Sequence, residues 1–285
     1  MQITKLPLLL LLPLTTLIAH ESIHSSATLY YENIDFSNSL QKTNGDLIGV
    51  GGDIHSDNSE YKFAFEHANT DTKQPPLKED LTTSKIFLKY GYSYDNGLQL
   101  RLNYINILED NIAPTVHGAV YGAGLEYTME KISLGFVQYY TDYKEFDVYQ
   151  SDLKVEYKTK ISDIGIKLTG ITKYIKLNDY QSNSFSNNAQ EEYFTTALKI
   201  HTHYQSYHFG AALYLGERAF AIMNDGFKIQ HHAMEFDQTY ALGVGKSFAN
   251  MVLRLQYIHQ EATELPLNNQ GVEVDNLRLI VNYKF

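Results

Sequence analysis

From residue 28 onward the chain repeats one pattern, in which every second residue is apolar and the residues between are mostly polar. In 83–93, Ile86, Leu88, Tyr90 and Tyr92 alternate with Lys85, Phe87, Lys89 and Gly91. After Asp95-Asn96-Gly97 the next run sets Leu98, Leu100, Leu102 and Tyr104 against Gln99, Arg101, Asn103 and Ile105. Side chains of an extended strand point alternately to its two faces, so a period of two describes strands with one oily and one wetted face. Asn-Gly between two such runs marks a hairpin. The pattern predicts fourteen strands, near 28–37, 47–55, 60–69, 83–93, 98–107, 119–128, 132–141, 147–157, 163–175, 192–204, 207–216, 236–247, 251–262 and 273–285. The first is the least regular, because Glu32 interrupts one face and Asn33 and Asp35 the other.

Connections between these runs alternate in length. After even-numbered strands they are short, as at 95–97, 129–131, 205–206 and 248–250. After most odd-numbered strands they are long and polar, as at 70–82, 108–118, 176–191 and 217–235. Tight turns on one rim, long loops on the other and an even strand count describe a transmembrane antiparallel up-and-down β-barrel, all-β, with long extracellular loops and short periplasmic turns. Fourteen strands fit the pattern, with twelve or sixteen as alternatives. Aromatic placement is an independent test, since a lipid-facing surface concentrates aromatics at its two interfaces. The outward positions carry Tyr104, Tyr121, Tyr140, Tyr149, Tyr174, Phe194, Tyr240 and Tyr257 toward the long loops. Toward the short turns they carry Tyr61, Tyr92, Tyr127, Tyr157, Tyr204, Tyr207, Tyr283 and Phe285.

Composition agrees. The 285 residues include 23 tyrosines, no tryptophan and no cysteine, which removes disulfides, thiolate nucleophiles and cysteine metal sites. A net charge of −10 argues against nucleic acid as a partner. Met1–Lys5 supply a basic start, 6–18 an apolar segment and Ala19 a small residue, which together read as a cleaved secretory signal over residues 1–19, leaving 20–285 as one barrel domain. About 13 apolar residues are too few for a membrane-spanning helix.

The last run, Leu277 to Phe285, places Leu279, Val281, Tyr283 and Phe285 on the oily face. It resembles the C-terminal strand of bacterial outer-membrane barrels. That resemblance implies that Phe285 and its alternate neighbours are an assembly signal read by the barrel-assembly machinery, and that the protein sits among outer-membrane lipid and lipopolysaccharide.

A cylinder of about fourteen strands is too wide for wall side chains alone to fill, so a lumen is expected unless loops occupy it. The residues expected to line it are Lys85, Lys89, Arg101, Lys154, Glu156, Lys167, Lys199, His201, His203, His208, Arg254 and Arg278. Over the whole wall twelve basic residues face five acidic ones, while the surplus acid, Asp225 and Glu235 among it, falls in loops. A positive wall favours anions. The wall is expected to lack an extended apolar face, and the loop 217–235 is long enough to fold inward, carrying Arg218, Lys228 and His231 toward the passage.

The leading expectation is a porin-like channel for passive diffusion of small hydrophilic solutes, with an anion bias. The alternative is a non-conducting surface barrel, an adhesin or receptor working through its loops. No cofactor or metal is expected: His201, His203 and His208 share a face, but no cysteine or firmly placed carboxylate joins them. A membrane hydrolase is disfavoured because Ser151 and His259, the outward nucleophile and base, fall on the eighth and thirteenth strands.

Overall fold

A computed structural model describes residues 24–74, 77–111, 115–182, 188–265 and 267–285. The expected signal, residues 1–19, lies outside them. The strands are β1 (His24–Ser37), β2 (Lys42–Ser56), β3 (Ser59–Thr72), β4 (Leu81–Ser93), β5 (Leu98–Asp110), β6 (Ala119–Met129), β7 (Ile132–Asp142), β8 (Asp147–Ile161), β9 (Ile164–Asn178), β10 (Glu192–Tyr204) and β11 (Tyr207–Arg218). Two short strands follow, β12 (Ile222–Met223) and β13 (Lys228–Ile229), then β14 (Met234–Phe248), β15 (Met251–Glu264) and β16 (Asn269–Lys284). All but β12 and β13 join one closed antiparallel barrel of fourteen strands, each paired with its chain neighbours and β16 returning to β1.

Each expected strand is present. The observed ones extend a few residues further, mostly toward the long loops, where pairing continues past the alternating stretch. The short-turn rim is stitched together. Turn carbonyls of Asn58, Gly97, Lys131, Ser206 and Asn250 accept the amides of Ser93, Thr128, Lys158, Ser247 and Lys284 on the next hairpin, at 2.7–2.9 Å. Gly97 shows why one turn needs glycine: its φ is +86°, and a Cβ there would fall 2.6 Å from the Thr128 carbonyl oxygen.

Pairing register fixes the faces. Leu102, Leu125, Phe136, Leu153, Leu198, Leu242, Val244, Leu255 and Leu279 are exposed on the outside, between the two aromatic groups. Tyr104 and Tyr121 pack ring to ring at 5.5 Å and Tyr140 and Tyr149 at 5.1 Å near the long loops, and Tyr283 meets Phe285 at 5.2 Å near the turns. An apolar band between two aromatic girdles, on a sheet without free edges, is the surface that a bilayer requires.

The inside differs from the expected wet wall. On all fourteen strands an inward side chain in the half nearer the long loops is no more than 7% exposed, among them Phe87, Ile105, Val120, Ile175 and Val274. The wall therefore does carry an extended apolar face, confined to one half of its height. The earlier expectation failed because Phe87 and Ile105 share a strand face with Lys89 and Arg101, so a face average conceals the change with depth.

Position 242 tests the lipid-facing assignment. Leu242, 63% exposed between Tyr240 and Phe248, should lose about 2–4 kcal/mol of folding stability in vesicles when replaced by Lys. Gln256→Lys, on the watery side of the wall, should change it by less than about 1 kcal/mol. Denaturant titration of the vesicle-inserted barrel measures both.

Candidate functional site: a lumen filled from one end

What fills the long-loop half is the connection between β11 and β14, residues 219–233, which turns back into the barrel. Its β12 and β13 pair as a two-residue hairpin, Ile222 with Ile229 and Met223 with Lys228. The tip, Asn224-Asp225-Gly226, has φ values of 51°, 54° and 91°. Asn, Asp and Gly are the residues that tolerate this left-handed turn. Gly226 is required twice over, because a Cβ there would lie 2.6 Å from the Asn103 amide oxygen on β5.

The inserted loop is hydrophobic where it meets the upper wall. Phe220, Ala221, Ile222 and Ile229 are buried in one cluster with Phe87, Ile105, Val120, Tyr143, Phe146 and Ile175. Phe220 meets Phe146 at 4.8 Å, and Phe227 stacks on Phe87 at 6.2 Å. Its hairpin would leave backbone groups unpaired inside the barrel, and wall side chains complete them. Ile222 N–H donates to Gln150 Oε1 at 2.7 Å, while Gln150 Nε2 and Lys173 Nζ donate to the Ile222 carbonyl at 2.8 and 2.9 Å.

Charge latches the tip. Asp225 points its carboxylate into a basic belt, 3.7 Å from Lys154 Nζ and 4.0 Å from Arg101 Nη1, and Lys89 Nζ donates to its backbone carbonyl at 3.2 Å. Glu126 holds the same two cations at 2.7 and 2.9 Å. Lys228 reaches across to Glu32 of β1 at 3.7 Å, and Glu32 also binds Arg278 and Asn276. Burial within the barrel would push the Asp225 carboxyl up, but Lys154, Lys89 and Arg101 hold it well below the usual carboxylate range.

The residues expected to line the lumen fall into four groups. Lys85 faces inward but is buried beside Glu66 at 3.3 Å under the inserted loop, so it borders no open space. Lys89, Arg101 and Arg278 are held in the ion pairs and hydrogen bonds above. Lys154, Glu156, Lys167, Lys199, His201 and Arg254 border a cavity of about 510 Å³ beneath the loop, which supplies Met223, Asn224, Asp225, Lys228 and Gln230 to its roof. His203 and His208 stand nearer the turns with rings 5.8 Å apart.

Arg218 and His231 are buried away from the cavity. Arg218 lies between the rings of Tyr214 and Phe236, 5.3 and 5.5 Å from their centroids. Two carboxylates were misplaced by sequence. Glu32, read as a break in β1, is the inward counter-ion of Arg278, and Asp225, read as a loop charge outside, lies in the lumen. Ser151 donates to Gln138, and His259 pairs with Asp275; with β9, β10, β11 and β14 between them, they stand about 20 Å or more apart along the sheet.

Two measurements probe the latch. Gln150→Leu should raise hydrogen exchange at the Ile222 amide about tenfold or more, since two buried hydrogen bonds vanish while the strand pairs remain. Asp225 gives a pH response of known sign. A carboxyl lowered in the docked loop contributes docking stability above the free aspartate value, near 4, and loses it as pH falls through the docked value. Exchange in 219–233 should hence stay level from about pH 7 to 5, once corrected for intrinsic rates, and rise below about pH 4. Asp225→Asn should abolish that acid limb.

No family model and no curated protein matches the chain. Among solved structures it is similar to a bacterial polysaccharide outer membrane secretin, at 7% identity and a TM-score of 0.55, covering 91% of this chain and 98% of that one. It also aligns with the NanC porin at 11% identity, TM-score 0.49 and coverage of 90% and 100%, and with Pseudomonas aeruginosa OccK8 (OprE) at 12%, 0.43, 92% and 98%. What the likeness to the secretin shows is the fold alone, a closed antiparallel β-barrel.

Proposed function

We infer that the protein is an outer-membrane channel for passive diffusion of small hydrophilic solutes, biased toward anions, whose outer half is closed by residues 219–233 and conducts when that loop is displaced. The observation that carries this reading is the half-filled lumen. Below the loop the barrel keeps a wetted cavity of about 510 Å³, bordered by five cations (Lys154, Lys167, Lys199, Lys228 and Arg254) against two carboxylates (Glu156 and Asp225). A barrel serving only to display loops needs no hollow, charged interior. Cations ringing a pore lower the entry barrier for anions and raise it for cations.

The long loops would face outward and the short turns the periplasm, with lipopolysaccharide around the outer girdle. Leu279, Val281 and Tyr283 alternate along one face of β16, with Phe285 one residue past its end, where the barrel-assembly machinery would read them. The filled outer half favours a second reading, a non-conducting surface barrel acting through its external loops.

Planar-bilayer recording separates the two. The wild-type barrel should conduct rarely, and a variant with 221–231 replaced by a short Gly-Ser link should conduct several-fold more. Its reversal potential in a salt gradient should show anion preference. A loop-shortened barrel that folds yet passes no current would make the surface reading the correct one.

A further inference from the structure

The hollow beneath the loop exists because side chains are missing from one sector of the wall. The inward positions of β11 and β14 there are Gly210, Ala212, Ala241 and Gly243, with Gly210 paired to Gly243 and Ala212 to Ala241. Nothing in the backbone demands the two glycines. A Cβ at Gly210 would come no nearer than 3.8 Å to any neighbour, and one at Gly243 would sit in ordinary contact, 3.4 Å from the Gln256 side chain. Gly124 differs, since a Cβ there would fall 2.5 Å from the Phe136 carbonyl oxygen. The bare sector thus keeps volume free.

Polar groups around that volume lack partners. Lys199 on β10 and Arg254 on β15 flank it, and neither has a carboxylate within 4.0 Å among the described residues. Lys199 rests over the Tyr214 ring at 5.3 Å, and the nearest roof carboxylate, Asp225, feels its charge from beyond ion-pair distance. Lys199 registers through Ala212 and Ala241 with Ile258, four residues along β15 from Arg254, so three strand spacings across and about 13 Å along the strand put their backbones roughly 19 Å apart. One carboxylate cannot serve both. In the roof, Gln230 is 7% exposed, its Nε2 donates to Gln260 Oε1 at 3.4 Å, and its own Oε1 is buried with no hydrogen-bond partner. That oxygen is closed off from the hollow, so what fills the space is set by the two cations.

We propose that this hollow is a binding site for a dicarboxylate, one carboxylate at Lys199 and the other at Arg254. The carbon chain lies along the Gly210 and Gly243 wall, which offers no side chain to obstruct it. With the outer half filled, the ligand enters from the short-turn end. The site deepens the channel reading by naming a solute class, yet binding itself does not require conduction.

Calorimetry on the purified full-length barrel in detergent tests it with four six-carbon probes: galactarate (two carboxylates and hydroxyls), adipate (two carboxylates alone), gluconate (one carboxylate and hydroxyls) and galactitol (neutral). Galactarate and adipate should both bind saturably, gluconate about tenfold or more weaker, and galactitol not measurably. Lys199→Ala and Arg254→Ala should each weaken galactarate about tenfold or more. Gly243→Leu, which removes no charge and for which the backbone has room, should abolish binding while heat-modifiable migration shows an intact barrel. Equal binding of galactarate and galactitol, or wild-type affinity in Gly243→Leu or Arg254→Ala, would overturn the site. Absence of binding in a barrel that conducts anions removes the site and leaves the channel, whereas binding in a barrel that never conducts removes the channel and leaves the site.

Discussion

The pairing of β1 with β16 is the constraint on which everything else depends. Twelve residue pairs, from Ser26 with Lys284 to Ser37 with Glu273, turn an open sheet into a cylinder. In hydrocarbon an unpaired strand edge would leave a row of backbone amides and carbonyls without partners, at several kcal/mol each, so closure is a condition of existing in a bilayer. Once the cylinder is closed, its outside must be oily and its inside is decoupled from lipid. The inward face is then free to vary with depth.

Strand number sets the second problem. Fourteen strands enclose more space than their own inward side chains can occupy. Residues 219–233 solve it in the outer half, and the solution has two chemistries stacked one above the other. Phe220, Ile222 and Ile229 meet a wall of Phe87, Ile105, Val120 and Ile175, while Asp225 and Lys228, further in, meet Lys154, Arg101 and Glu32. Apolar burial stabilises the insertion without specifying direction, whereas ion pairs and the Gln150 hydrogen bonds fix its register. The loop is a shaped insert, oriented by its tip.

Much of the barrel was legible because lipid imposes a strict code. One face must be apolar for the length of the membrane crossing, and Leu98, Leu100 and Leu102 or Leu277, Leu279 and Val281 announce it locally. The inward face obeys no such rule. Whether Phe87 meets water or a packed side chain depends on a loop more than a hundred residues away, and period-two reading has no access to that distance. Glu32 looked like a fault because its counter-ion, Arg278, stands at the other end of the chain. Asp225 looked like surface charge because a polar Asn-Asp-Gly turn has the composition of an external loop. The length of 217–235 alone identified the segment as an inward-folding candidate, without showing what it would touch, and its interior hydrophobics Phe220, Ala221 and Ile222 were a further signal left unread.

The latch and the proposed selectivity share residues, so they cannot vary independently. With the loop docked, Asp225 supplies negative charge to the belt of Lys154, Arg101 and Lys89, leaving Glu126 as the wall's own carboxylate against Lys154 and Arg101. Lifting the loop removes Asp225 from that belt and Lys228 from Glu32 together. The belt then gains net positive charge beside the cavity, while Glu32 retains Arg278 as its partner. In a low-dielectric cylinder such uncompensated charge acts more strongly than it would on an exposed surface. In the proposed channel, displacement of the loop would therefore widen the passage and strengthen its preference for anions in the same movement.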